Sequence, residues 1–411
     1  MKSFKAYLKE DVSVERNLHI SHLDDLPLIE GQDGLKKTLA LLKSIIAQLA
    51  GVSGKPVQVK TKYDGAPSLV CGINPENGKF FVGTKSVFNK LDPKINYTEK
   101  DINKNHESSG LRNKLKVALK YLPELGMDSV YQGDMMYTRD DIQKKNIDGQ
   151  SYVTFKANTI TYAVKADSEL AQEILASKMG IVFHTKYIGT AMANLKSSLK
   201  IDISDFKPSK NVWYKDADFE ASNKKLAVSK GDMQVLKKDF NDLVAIAKKL
   251  DKPLLDKFIN DSDLQTTLMG FNNFLVRKNE YFKKNSKQKY EMLLQYIQDK
   301  FTGEVSLRKS DSGKERRTKK YKYLLDILKE NKDGMLAFFS LQNSVIKLKQ
   351  EIINKLNQIK TISTYVDEKG KMTPVDPEGF VAVSDSGGAI KLIDRDTYSR
   401  LNFNREKDWK K

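Results

Sequence analysis

The order of hydrophobic periods along this chain limits its fold more than any other feature. From Val57 to Val87 the residues fall into short β-rich runs, VQVKTK, SLVCGI and KFFVGT, with a turn signal at Asn74, Pro75, Asn77 and Gly78. Further β-like runs follow at SVYQGDMMY, NTITYAV and GIVFHTKY, and helices are expected at 111–122 and 168–178. Near residue 205 the period changes. From 205 to 362 the chain is Lys-rich and helical in repeat, as in FNDLVAIAKKL, KYEMLLQYIQDKF and SVIKLKQEIINKLNQI. After Thr361 β-like segments return at EGFVAVSD and AIKLIDRD. A β region broken by a helical block and completed by two late strands predicts an α+β fold with an inserted domain. Its parts are 1–204, a helical Lys-rich insertion at 205–362, and closing strands within 363–411. Residues 1–33 read as an irregular arm, leading into one amphipathic helix with Leu35, Leu39, Leu42, Ile45, Ile46 and Leu49 on its apolar face.

Charge narrows the partners. The 411 residues carry 71 Lys and Arg against 53 Asp and Glu, a formal net charge of +18. Such an excess attracts polyanions, because each phosphate neutralised releases counterions. A solvated Lys-rich surface without a partner gives the same count, so charge alone identifies no chemistry. No apolar run approaches the roughly eighteen residues of a membrane span, and the N-terminal MKSFKAYLKEDVSVER lacks the apolar stretch of a secretory signal. Cys71 is the only cysteine, which excludes intrachain disulfides and thiolate metal cages. The expectation is a cytoplasmic protein without a membrane partner.

The most informative segment runs from Lys60 through Thr61, Lys62, Tyr63, Asp64, Gly65 and Ala66 to Pro67. It sets a lysine at a strand end, an acid two residues on, and then a glycine. A lysine attacks phosphorus only as the neutral amine, so the site is expected to lower its pKa through burial or neighbouring cations. Lys60 lies on the same face of an extended strand as Lys62 and is a candidate for that repulsion. Gly65 would let the backbone turn close to a nucleotide. A strand ending in a Lys-Asp-Gly surface turn is the plain alternative.

Lys62-Tyr63-Asp64-Gly65 resembles the first motif of the covalent nucleotidyltransferases, the family of ATP-dependent DNA and RNA ligases and mRNA capping enzymes. Other segments resemble that family's later motifs, in order. Val82-Gly83-Thr84-Lys85-Ser86 resembles the segment that supplies a basic residue near the phosphates, and Tyr131-Gln132-Gly133-Asp134-Met135 the aromatic-x-Gly-Glu motif whose acid contacts the ribose. Ile160 to Val164 falls where the family has a strand with an adenine-stacking aromatic, here Tyr162. Pro377-Glu378-Gly379-Phe380-Val381 resembles the Glu-Gly-aromatic-Val motif, and Ile390-Lys391-Leu392 the final lysine motif. The resemblance implies that Lys62 becomes bonded to AMP. It further implies that Lys60, Thr61, Asp64, Gly65, Lys85, Asp134, Tyr162, Glu378 and Lys391 surround ATP, and that Glu378 and Asp134 assist Mg²⁺. It covers 57–200 and 375–395 and leaves the helical block unexplained. Asp134 departs from the family's glutamate by one methylene, and the last motif has one lysine where two are common.

Other signals carry less. The segment Gly78–Ser86 is out of register for a phosphate-binding loop and reads as strand. His19, His22, His106 and His184 show no zinc spacing beyond the short His19/His22 pair. His22 and His184 are within reach of a nucleotide pocket but read more simply as structural histidines. In the helical block, Arg316, Arg317, Lys319 and Lys320 form a basic run with Tyr321 and Tyr323 and are the expected contacts to a nucleic acid backbone. Only about twenty residues follow Lys391, too few for the β-barrel that DNA ligases and capping enzymes carry there. An RNA ligase of bacteriophage type is therefore the first expectation. A DNA nick-sealing ligase, transfer of a nucleotide to another acceptor such as a cap, and a binding protein that has lost catalysis remain open.

Overall fold

A computed structural model describes residues 20–50, 58–217, 228–307, 309–357, 362–368, 371–375, 378–383 and 389–399. The strands, in chain order, are β1 Ser21–His22, β2 Gln58–Lys62, β3 Ser68–Ile73, β4 Phe80–Gly83, β5 Val130–Thr138, β6 Ile142–Ile147, β7 Gln150–Lys156 and β8 Thr161–Lys165. They continue with β9 Met179–Ile188, β10 Lys196–Ser198, β11 Val212–Asp216, β12 Ser363–Glu368, β13 Lys371–Pro374, β14 Gly379–Val383 and β15 Ala389–Ile393. Three sheets result: β1-β15-β14-β2, then β10-β9-β5-β3-β4 with β11 beside β9, and β13-β12-β8-β7-β6. All pairings are antiparallel except β1 with β15 and β11 with β9. Strands from either side of the helical block share sheets, with β14 pairing β2 and β12 pairing β8.

The period of two along a strand sorts the first sheet into two faces. Val59, Phe380, Ala382 and Leu392 are buried and pack into one apolar cluster with the helices. The opposite face takes Lys60, Lys62 and Lys391, because Val381 is paired with both Lys60 and Lys391 while Gly379 is paired with Lys62. Alternation alone therefore turns the lysines together, away from the helical core.

The helices that meet this sheet are α1 Gly31–Leu49, then, after α2 Ser109–Tyr121, the series α3 Lys230–Lys248, α4 Lys252–Asn260, α5 Ser262–Arg277, α6 Ser286–Ser306, α7 Asp311–Glu330 and α8 Lys332–Asn357. Most of the starts are capped, with Ser229, Asp261, Asn285 and Ser310 accepting from backbone amides of the first turn. The helical block starts at Lys230; within the expected 205–362 span, residues 212–216 still form β11 of the second sheet.

The reading of 1–33 as an irregular arm is corrected for its later part. Residues 1–19 lie outside the described residues, but Leu23, Leu26 and Leu28 are fully or almost fully buried, and Ser21–His22 pairs with β15. A segment this short, with Pro27 in it, has no period long enough to read, yet its leucines enter the helical core. Two acids go in with them. Asp24 accepts from Tyr281 at 2.6 Å, Lys349 at 2.5 Å and Arg395 at 3.1 Å, while Asp25 accepts from Asn272 and Arg395 at 2.9 Å each. Burial works against the charge of Asp24, but Lys349 and Arg395 hold its carboxyl well below the usual range. Burial raises Asp25 above that range, with Arg395 opposing.

Candidate active site

β2 ends at Lys62, and the register of β14 sets Gly379 opposite it. Glu378 precedes that glycine, so its carboxylate meets the amine: Lys62 Nζ donates to Glu378 Oε2 at 2.5 Å. The Lys62 side chain is 28% exposed and that of Glu378 only 8%. Gly379 has a local reason to be glycine. Its φ is +140°, and a Cβ there would lie 2.3 Å from the carbonyl oxygen of Leu392. The Glu-Gly pair thus lets β14 approach β15 while aiming the acid at Lys62.

The expectation of a depressed Lys62 pKa is corrected. Burial acts to lower it, but the Glu378 carboxylate, with Asp134 and Asp64 behind it, holds it above the ordinary lysine value. Glu378 is itself raised by burial and by Asp64 and Asp134, although Lys62 opposes this. The cations surround the pair at longer range. Lys391 is lowered by burial, with Lys62, Lys85 and Arg395 adding to the shift and Glu378 opposing it. Lys85 opens a short 3-10 turn capped by Thr84, which accepts from the Ser86 amide. His22, paired with Lys391 at the sheet edge, is pushed down to about 2, chiefly by burial and then by Arg395. Lys60 is buried two residues before Lys62, and the Thr61 amide between them donates to the Ala217 carbonyl at 2.8 Å.

Asp134 arrives from the second sheet through an irregularity. In the β5–β9 pairing, Gln132 faces Thr185 and Gly133 faces Phe183, so His184 is the extra residue of a bulge. A bulge re-aims a side chain. His184 Nε2 lies 3.7 Å from Asp134 Oδ1, and its Nδ1 lies 2.8 Å from the Thr185 hydroxyl. Burial would raise Asp134, but His184, Lys62 and Ser68 hold its carboxyl below the usual range. His184 thus has a hydrogen-bonded place in the fold and also lies beside an expected site residue. A bulge depends on strand pairing and leaves no local sequence signal.

Three expected nucleotide contacts have other work in the fold. Asp64 is buried, and its carboxylate accepts from Asn158 Nδ2 at 2.9 Å and from the amides of Thr159 and Ile160 at 2.8 and 3.1 Å. It clasps the turn before β8. Tyr162 is enclosed in the core, with its ring stacked on Phe155 at 5.5 Å and its hydroxyl accepting from the Asp64 amide at 2.8 Å. It offers no open face to an adenine. Gly65 is needed for packing: a Cβ would come within 2.7 Å of the Asp134 Cβ and 2.8 Å of the Met135 carbonyl oxygen. Asp64 and Tyr162 thus hold the loop after Lys62.

The basic run in the helical block is largely ion-paired within the fold. It lies within α7, where Arg317 pairs with Glu304 at 2.8 Å, Lys319 with Glu315 at 2.7 Å, and Lys320 with Asp263. Tyr321 packs on Phe301 at 6.0 Å, and the Tyr323 hydroxyl donates to Asp261 at 2.8 Å. Arg316 stays exposed.

What the arrangement can do follows from its donors. Among the described residues no group of three or more His, Cys, Asp or Glu is arranged to hold a metal ion. Glu378 and Asp134 are oxygen donors of the kind Mg²⁺ takes, and two carboxylates alone leave most of its shell to other ligands. None of the described helices is long and apolar enough to cross a membrane. A family model matches residues 17–407. The chain belongs to the DUF6267 family. DUF6267 is described as a family of unknown function, and the matched span takes in the strands, the helical block and every site residue above. No curated protein and no solved structure matches this DUF6267 chain.

Proposed function

We propose that the protein is an ATP-dependent polynucleotide ligase acting through a lysyl-AMP intermediate on Lys62, with the fold of the covalent nucleotidyltransferases and RNA as the first acceptor to test. The observation that carries this reading is the meeting of Lys62, Asp134, Glu378 and Lys391 in one field, although they lie up to 329 positions apart in the sequence. In the first step Lys62 Nζ attacks the α-phosphorus of ATP, a P–N bond forms, and the bond to pyrophosphate breaks. The amine must first lose its proton. The Glu378 carboxylate, hydrogen-bonded to Nζ and raised in pKa, is the acceptor at hand. Lys391 and Lys85 offset charge on the departing pyrophosphate. Glu378 and Asp134 would help to hold Mg²⁺, which would supply further charge neutralisation at the phosphates. AMP then passes to a 5′-phosphate end, and a 3′-hydroxyl displaces it to seal the strand.

One observation favours a second reading, a nucleic-acid-binding protein without catalysis: the Lys62–Glu378 bond keeps the amine protonated. Covalent labelling separates the two. With ATP labelled at the α-phosphate, Mg²⁺ and a denaturing gel, the wild type takes up label and Lys62→Ala takes up none. Label from GTP alone moves the reading to capping chemistry. No label from either nucleotide removes the enzyme and leaves the binder.

A further inference from the structure

Three of the four cations expected to grip nucleic acid on α7 are ion-paired, and a second basic stretch holds two exposed lysines. From the end of α5 to the first turn of α6, the residues Arg277 to Lys287 carry Arg277, Lys278, Lys283, Lys284 and Lys287 against Glu280 as the one acid in that stretch of sequence. Lys284 pairs with Glu280 at 3.5 Å. Lys283 and Lys287 are exposed and form no ion pair within 4.0 Å among the described residues, although the charge of Lys283 acts on the Asp396 carboxylate. Between them and the end of α5 stands Phe282, 48% exposed.

This connection is fastened at nearly every residue. Asn279 takes a left-handed φ of +58° to end α5, and the Glu280 amide donates to the Leu275 carbonyl at 2.9 Å. Tyr281 is buried, with its hydroxyl on Asp24. The Phe282 amide donates to Asp396 at 3.0 Å, and the Lys284 carbonyl accepts from Asn343 at 3.0 Å. Asn285 then caps α6 in a reciprocal box with Gln288. The backbone is thus fixed on both sides of an aromatic ring that points to solvent. A single exposed ring is ordinary on a protein surface. A rigidly held ring beside the exposed Lys283 and Lys287 has the form of a stacking platform with an electrostatic rail.

Its position relates it to Lys62. Gly379 is paired with Lys62 on one side and with Ile393 on the other, so Ile393 lies about 10 Å from Lys62 across two strand spacings. Asp396, which holds the Phe282 amide, follows Ile393 by three residues. The platform therefore borders the end of the sheet that carries Lys62 and Glu378.

We infer that the Arg277–Lys287 connection docks a single-stranded nucleic acid, with a base stacked on Phe282 and phosphates held by Lys283 and Lys287. That this strand is the one to be joined rests on the ligase reading; the binding itself does not need ATP. The test is fluorescence anisotropy of labelled single-stranded RNA and DNA oligonucleotides of ~12 nucleotides, titrated with the full chain without ATP over a range of salt. Phe282→Ala is expected to weaken binding roughly ten-fold, and Phe282→Tyr to retain it. The pair Lys283→Gln with Lys287→Gln is expected to reduce the salt slope by about 1.4. Lys319→Gln with Lys322→Gln on α7 is expected to change neither. Circular dichroism and ATP labelling of Lys62 should match the wild type in every variant. Equal loss from the α7 pair, unchanged binding in the platform variants, or no oligonucleotide binding by the wild type would each overturn the inference. Loss of ATP labelling in the wild type with platform binding intact would instead sink only the ligase reading.

Discussion

Lys62 is held in the form that cannot attack. Burial favours the neutral amine, but Glu378, Asp134 and Asp64 together keep the proton on it. On the proposed ligase reading the sign for activity follows from that. Labelling requires the deprotonated amine, so its rate should climb with pH through neutrality and level off only in the alkaline range. Glu378→Gln removes the largest charge that raises Lys62, so the midpoint of that climb should move down by about one pH unit or more. The plateau should fall as well, because the variant has lost the acceptor for the proton. Labelling rates of both proteins across the pH range check this, and an unmoved midpoint would mean that Glu378 does not control the amine. Which residues would gather was legible in the sequence, since strand alternation and short motifs fix Lys60, Lys62, Glu378 and Lys391. How they would be charged was not. The roles of Asp64 and Tyr162 were also hidden, because their partners lie 94 to 98 positions away in the chain.

Among the elements, the short segment from Ser21 to Ile29 ties the first sheet to the helices. Its acids join Tyr281, Lys349 and Arg395 in a buried network whose centre is Asp24. Lys289 of α6 lies beside that network, 4.6 Å from the Tyr281 ring centroid and 3.4 Å from Gln342 Oε1. Burial pushes it down to about 7, against the pull of Asp24 and Asp396. The unfolded chain keeps that proton up to the ordinary lysine value of 10.5. Between those values the unfolded state binds one more proton than the folded state, so this residue makes stability rise with pH by about 1.4 kcal/mol per unit. Its unfavourable contribution is greatest near and below pH 7 and fades toward 10.5. Lys289→Met removes it. The variant's stability gain over wild type, measured by urea unfolding, should narrow by that slope between about pH 7 and pH 9. A constant difference would show that Lys289 stays charged in the fold. A period-based reading had no access to this network: the arm is too short to show a repeat, and its acids look solvent-facing until α5, α6 and α8 close around them.

At the scale of the whole molecule, the helical block and the first sheet share one core. Val59, Phe380, Ala382 and Leu392 lie in the same cluster as Leu254, Phe271, Phe338 and Leu348. From the other face of that sheet, Ile393 packs with Trp213 and Tyr162. The change of period at 205 reads as the start of an inserted domain, whereas residues 212–216 still belong to the second sheet and the helices begin at Lys230. Shared burial argues against a separable block, because removing the helices would expose one whole face of the sheet that holds Lys62. The chain should then unfold as one unit. Phe380→Ala leaves a cavity at that junction and should cost about 3–5 kcal/mol. In a Trp409→Phe background, helix loss by circular dichroism and the fluorescence of Trp213 should report the same urea midpoint in the parent, and both should shift together in the Phe380 variant. If only the helical signal moved while Trp213 kept its midpoint, the block would be a separate cooperative unit. The site on Lys62 would then owe its shape to the β-sheets alone.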